Sequence, residues 1–396
     1  MEEAFFRTHT YLVEHTEAPV RRTLMDEIDW NDRMIGIKGT RGVGKSTFLL
    51  QYAKEHFGPY DRKCLYVNMN NFYFQSRGIA DFAGDFVNQG GRTLLIDQVF
   101  KQQDWSKELR KCYDLYPELK IVFTGSSVMR LKEENPELNG IVKSYNLRGF
   151  SFREYINLKT GNDFQPYELD DILRNHEHII KQILPKVSPM KYFNDYLHHG
   201  FYPFFLEQRN FTENLLKTMN MMTEVDILLI KQIELKYLPK IKRLFYELAV
   251  EGAKAPNVSQ LAESINTSRA TVMNYIKYLA DSRLINMIYP DGQDFPKKPS
   301  KVMMHNTNLM YAIYPIQIDK QEVMETFFVN SLWKDHKVHQ GGKDHYYTVD
   351  GNRKFRICDA QTPNKMRSNP DTIYARYNTE VGKDNKIPLW LLGFLY

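Results

Sequence analysis

MIGIKGTRGVGKSTFLL, running from Met34 to Leu50, decides how the first part of this chain folds. Met34 to Lys38 is an apolar run that predicts a buried strand. Phe48, Leu49, Tyr52 and Ala53 fall at helical spacing and predict a helix from Ser46 to Phe57. Between them, Gly39 to Ser46 matches GxxxxGK[ST] in the strand-then-helix setting that this motif requires. Each position has a chemical reason. The glycines let the backbone curl until its N–H groups face phosphate oxygens. The helix amino terminus adds partial positive charge, Lys45 reaches the β- and γ-phosphates, and Ser46 ligates Mg²⁺. The segment that would hold ATP is therefore Gly39, Thr40, Arg41, Gly42, Val43, Gly44, Lys45, Ser46 and Thr47.

Working outward, KCLYVNM (Lys63 to Met69), RTLLID (Arg92 to Asp97) and KIVFTGSS (Lys120 to Ser127) read as further apolar strands. Helical stretches such as DWSKELRKCYDLY separate them. Alternating strands and helices predict an α/β domain with a doubly wound parallel sheet, ligands lying at the carboxyl strand ends. Asp97 and Ser126 both stand at such ends. Asp97 is the natural carboxylate for Mg²⁺ together with Ser46, and Thr124 and Ser126 carry hydroxyls suited to the γ-phosphate or an attacking water. Lys45, Asp97, Gln98 and Ser126 are the candidate catalytic residues. A turn that merely caps the next helix is an equally good reading of any one of those hydroxyls.

GTRGVGKSTFLL, LLIDQV, IVFTGSS and LRGFSFREY together resemble the AAA-type ATPases of bacteria and archaea that carry a carboxy-terminal domain of unknown function, in the signal-transduction branch of the P-loop superfamily. The resemblance implies Mg²⁺-dependent ATP hydrolysis, with a general base directly after the acidic strand. The chain departs from that pattern at charged positions. The expected DEIQ reads Asp97-Gln98-Val99-Phe100, an LxGR motif reads Leu138-Asn139-Gly140-Ile141 without its Arg, and Asn70-Asn71 stand where paired acids are expected. Gln orients a water through its carbonyl oxygen but accepts no proton, and loss of a general base typically costs about 10²–10⁴ in rate. The expectation is a nucleotide-dependent switch that hydrolyses slowly. Arg130, Arg148 and Arg153 are candidate arginine fingers, against the plainer reading of salt bridges or surface charge.

Composition excludes other classes. With 396 residues, 42% hydrophobic content and a mean hydropathy of -0.51, the chain is globular and spans several domains. The amino terminus lacks the basic-then-apolar pattern of a secretory signal, and no apolar run approaches membrane-spanning length. Cys64, Cys112 and Cys358 lie far apart, as suits reduced thiols in a cytoplasmic protein. A net charge of +5 permits nucleic-acid contact without demanding it.

Beyond a nucleotide domain at 1–155, a helical lid is expected at 156–236. There ELDDILRNHEHIIKQIL reads as an amphipathic helix, and Gly200 and Pro203 break the next one. His176 and His178 project from different helix faces and make a poor metal site, a solvated or half-buried role being the expectation. A long helix is expected from Asn214 to Ile233. A winged helix follows at 237–315: helices Ile241–Glu251, Val258–Ile265 and Arg269–Arg283, capped at Ser259 and at Thr267 or Ser268, then strands around a wing. Arg269, Asn274, Lys277, Lys297, Lys298 and Lys301 offer DNA-facing chemistry, while Glu263 and Asp281 weigh against it; packing or a protein partner is the stronger expectation. The tail, 316–396, is expected to hold a helix and short strands, the last being IPLWLLGFLY. In the resembled family this segment often has a restriction-endonuclease fold. Here Asp359 ends a strand, but Glu380 and Lys383 are misspaced for an acid–lysine pair, which predicts a nuclease-inactive, partner-binding module. Zinc at His336, His339, His345 and Cys358 is disfavoured by their spacing. Alternatives to the switch are an ATP-modulated DNA-binding regulator and an ATP-assisted nuclease. Partners beyond ATP are a protein or a second copy of the chain, with no membrane.

Overall fold

In the computed structural model the structure describes residues 3–129, 131, 134–207, 210–342, 346–361 and 369–396. Two compact units, Met1–Arg148 and Gly149–Tyr396, divide the chain.

The first unit runs α1 (Glu3–His15), α2 (Leu24–Glu27), β1 (Met34–Gly39), α3 (Lys45–His56), β2 (Cys64–Asn68), α4 (Ile79–Asn88), β3 (Thr93–Asp97), α5 (Trp105–Leu115), β4 (Lys120–Ser126) and β5 (Lys143–Asn146). The sheet order is β2-β3-β4-β1-β5, and every pairing is parallel. β1, β2, β3 and β4 are near-continuous apolar runs because helices cover both faces of such a sheet. β5 is the polar edge strand KSYN, which is why no hydrophobic pattern announced it. The other edge is closed by α1, where the buried imidazole of His9 accepts a hydrogen bond from the Tyr66 N–H at 3.0 Å. This order inserts β4 between β1 and β3. The loop after β1, Asp97 at the end of β3 and Ser126 at the end of β4 thus share one edge of the sheet.

The second unit begins with α6 (Phe152–Thr160), whose start is a capping box between Ser151 and Glu154. It continues through α7 (Leu169–Ile183), α8 (Met190–Asp195), α9 (Phe211–Met221), α10 (Leu228–Ile230), α11 (Leu238–Glu251), α12 (Val258–Ser264) and α13 (Arg269–Asp281). The long helix expected from Asn214 is α9 and α10 joined by a π-turn, Met222–Ile227, and a second π-turn, Tyr196–Gly200, ends α8. α11, α12 and α13 are followed by the antiparallel pair β6 (Ile285–Ile288) and β7 (Lys301–Met304), with an additional bridge from Lys254 to Val302. Ser268 caps α13 as expected; α12 is capped by Asn257 rather than Ser259.

After α14 (Thr307–Ile313) and α15 (Lys320–Leu332) come β8 (Val338–Gln340), β9 (Tyr347–Val349), β10 (Arg353–Asp359), β11 (Thr372–Tyr377) and β12 (Lys386–Pro388). They form one mixed sheet in the order β12-β11-β10-β9-β8. Two expectations are corrected here. The chain between Asp359 and Glu380, whose Pro, Asn and Arg content reads as unlike a second core strand, does hold one: β11, pairing in parallel with β10. Of the apolar ending only Lys386–Pro388 is strand; Leu389–Phe394 winds into buried 3-10 turns, because that apolar run fills the space beside α6 and α15 instead of extending a sheet.

Candidate nucleotide site

Gly39 ends β1 where a side chain has no room: a Cβ there would lie 2.4 Å from the Leu147 carbonyl oxygen. Gly44, at φ 92, adopts a left-handed conformation that side-chain-bearing residues avoid, and it opens directly into α3. The Lys45 ammonium donates to the carbonyls of Gly39 (2.9 Å) and Thr40 (2.7 Å), which folds the lysine back over the loop. A guanidinium supports the loop from beneath. Buried Arg22 donates to the Val43 carbonyl (3.2 Å) and to the Arg148 carbonyl (2.6 Å). Nothing in the motif pointed to Arg22, which lies before β1 in a stretch without periodicity.

Asp97 is the centre of the polar edge and is almost fully buried. Its Oδ2 accepts from the Ser46 hydroxyl (2.7 Å), the Tyr66 phenol (2.8 Å) and the Asn68 amide (3.0 Å). Its Oδ1 accepts from Thr124 Oγ1 at 2.5 Å. Four neutral donors thus offset the cost of burying the charge. Burial first, and then the Asp97 charge, push the Tyr66 phenol well above its usual value, so it stays a donor. Tyr66 and Asn68 were not anticipated as site residues, although both stand on β2 beside β3.

Gln98 follows in a left-handed conformation at φ 56. Its backbone N–H donates to Thr124 Oγ1 at 2.9 Å, which locks the turn to β4. Ser126, buried at the end of β4, accepts from the Val128 N–H through its hydroxyl. Gly39, Thr40, Arg41, Gly42, Val43, Gly44, Lys45, Ser46 and Thr47 form one continuous turn into α3. Ser46 and Asp97 are in direct contact, and strand order puts Gln98 and Ser126 on the same sheet edge.

Residues 31–156 match the family model of an AAA domain. Nearly all of that match lies in the first unit, which carries the AAA domain. A second model, described as a domain of unknown function (DUF8612), matches residues 190–320. An uncharacterized protein of Methanocaldococcus jannaschii is 26% identical over 286 residues, 68% of this chain; the chain spans 59% of that protein's length. Among solved structures, the Aeropyrum pernix ORC1 protein in complex with DNA aligns at 11% identity, covering 79% of this chain and 92% of that one, with a TM-score of 0.30. AMPPCP-bound DnaA from Aquifex aeolicus aligns at 13% identity, covering 69% and 86%, with a TM-score of 0.23. Likenesses that weak add nothing to what the loop, the strand order and the AAA model say of this domain.

Away from the phosphate loop and Asp97, several candidates find structural roles. Arg153 is buried in α6 and donates to the Tyr396 carbonyl (3.0 Å) and the Phe164 carbonyl (2.8 Å), so it holds the second unit together and is no finger. Arg148 closes the first unit with its carbonyl on Arg22, and Arg130 lies outside the described residues. His176 is buried, not solvated; His178 is exposed and pairs with Gln182. Lys301, at the start of β7, forms an ion pair with Glu325 at 2.7 Å, and Lys277 pairs with Asp281 at 2.8 Å. Asp359 accepts two hydrogen bonds from the Asn378 amide, and Glu380 caps the start of α8 through Ser188 and Met190. No group of His, Cys, Asp or Glu among the described residues is arranged to hold a metal ion by itself, and His345 lies outside them. No described helix is long and apolar enough to cross a membrane.

Proposed function

We propose that the AAA domain binds Mg²⁺–ATP and hydrolyses it slowly, serving as a switch that a partner of the second unit reads. The observation that carries this reading is the polar edge around Asp97. The carboxylate is saturated by Ser46, Tyr66, Asn68 and Thr124, all neutral, and the next residue is Gln98 rather than an acid. An oxygen-only pair, Ser46 and Asp97, suits a hard divalent cation that is otherwise liganded by water and phosphate. Bound there, Mg²⁺ would neutralise charge developing on the β- and γ-oxygens.

The chain's own groups do the rest. Loop amides and the Lys45 ammonium bind the triphosphate, and Arg22 keeps the loop open by fixing the Val43 carbonyl. The Ser46 hydroxyl can turn from Asp97 to the cation because three other donors remain on the carboxylate. Thr124 holds the Gln98 backbone, so the Gln98 amide is aimed where a water would attack, and Ser126 donates to the γ-phosphate. Gln98 orients that water without taking its proton. Steady-state turnover of about 1 s⁻¹ or more without a partner contradicts slow switching. Gln98→Glu is expected to raise the basal rate by about a hundredfold or more.

A DNA-binding regulator is the second reading. Its support is the succession α11, α12, α13, β6 and β7, the arrangement of a winged helix, with Arg269 and Asn274 exposed on α13. On this reading the second unit divides near 236 and 315. A gel shift weakening steeply with salt supports it; no shift at low salt removes it.

A further inference from the structure

Between the amino-terminal half of α13 and the loop joining β6 to β7 lies a cavity of about 310 Å³. Val258, Met273 and Phe295 form its apolar wall, and Arg269, Asn274 and Lys298 stand among its lining residues. We propose that this cavity docks a short segment of a protein partner, one that carries an apolar side chain followed closely by a carboxylate. The proposal rests on the reading that the second unit engages a partner, and it names that partner's chemistry.

Shape and charge both favour a peptide over nucleic acid. A helix that reads the major groove presents a ridge. Here the loop rises beside α13, and the surface is concave, which suits an inserted knob. Nucleic-acid affinity comes largely from neutralising several phosphates. The cations left for that are few. Lys277 is paired with Asp281 and Lys301 with Glu325, leaving Arg269, Lys297 and Lys298 exposed. Three exposed acids stand close by in the chain, Asp291 and Asp294 on the same loop and Glu263 on α12. With local charge near zero, affinity must come from burying an apolar anchor, as at the hot spots of protein interfaces. Arg269 and Lys298 then select one carboxylate beside the anchor, and the exposed Asn274 amide matches a peptide backbone.

The test uses the full chain and an array of short peptides, each holding one Leu, Phe or Trp with Glu or Asp soon after it, beside matched peptides with Lys in place of the acid. Binding is read by fluorescence anisotropy. Acid-bearing peptides are expected to saturate, and Ala270→Trp, which fills the cavity from an exposed helix position, is expected to weaken them by at least about tenfold. The exposed double variant R269E/K298E is expected to lose the acid-bearing peptides and gain the Lys-bearing ones. The proposal is overturned if no peptide saturates below about 1 mM, or if neither variant alters binding. It is equally overturned if a single-stranded or duplex oligonucleotide binds and Ala270→Trp abolishes that binding. Calorimetry with Mg²⁺–ATP runs in parallel: a flat trace on the unaltered chain breaks the switch reading and leaves the peptide result to stand separately.

Discussion

Two strands of this chain end in aspartate beside a parallel neighbour, Asp97 on β3 and Asp359 on β10. They have opposite fates. Around Asp97, hydroxyls and an amide converge from α3, β2 and β4, and one of them, Ser46, sits on a helix whose preceding loop is shaped for phosphate. At Asp359 a single neutral amide, Asn378, spans both carboxylate oxygens at 3.0 and 2.9 Å, and the Gln361 N–H takes Oδ1 again. An acid at a strand end becomes a cation site only where a crossover delivers a second group able to turn toward the ion. On the proposed reading, β1 and its loop do so in the first sheet. In the second, the one nearby Glu of the expected acid–lysine pair, Glu380, is spent on capping a helix.

That contrast can be broken. The largest effect is expected from Lys45→Ala, which should abolish Mg²⁺–ATP binding in titration calorimetry, a loss of about a hundredfold or more. Next, Asp97→Asn should lower Mg²⁺-dependent turnover by about a hundredfold, whereas Asp359→Asn should leave both binding and turnover unchanged. Equal losses in the two variants would erase the distinction. Arg22→Gln should weaken Mg²⁺–ATP about tenfold, with Arg22→Lys recovering part of it; an unchanged affinity would reduce Arg22 to packing.

The smallest effect is on stability. Burial holds the His9 imidazole down to about 4 from an ordinary value of 6.5. Between these values the unfolded chain binds the proton that the folded chain refuses, so stability falls as pH drops through that window and is fully present above it. The melting temperature should decline from pH 6.5 toward 4, and His9→Phe should flatten that decline. The same variant should start from a lower value, because the Tyr66 N–H loses its acceptor.

Much of the first unit was legible in letters. The loop from Gly39 to Thr47 announces itself because its chemistry is local: glycine conformations, helix-start amides and one lysine at fixed spacing. The inner strands are readable because burial on both faces demands uninterrupted apolar runs. The three helices before β6 were readable for the same kind of reason, an apolar stripe at helical period. Elsewhere the letters misled. β11 reads TIYARY within a polar surround, and Leu389–Phe394 reads as strand although its neighbours leave it room only for turns.

Sequence by itself determined the phosphate loop, the acid at Asp97 and the absence of a base at Gln98, since each is a matter of residue type at a fixed offset. Tertiary structure alone decided that Tyr66 and Asn68 share Asp97, that Arg22 braces Val43, and that Lys301 pairs with Glu325. Those partners stand 21 to 31 residues apart in the chain. Hydrogen bonds act across space, and only the folded sheet brings such groups within their reach.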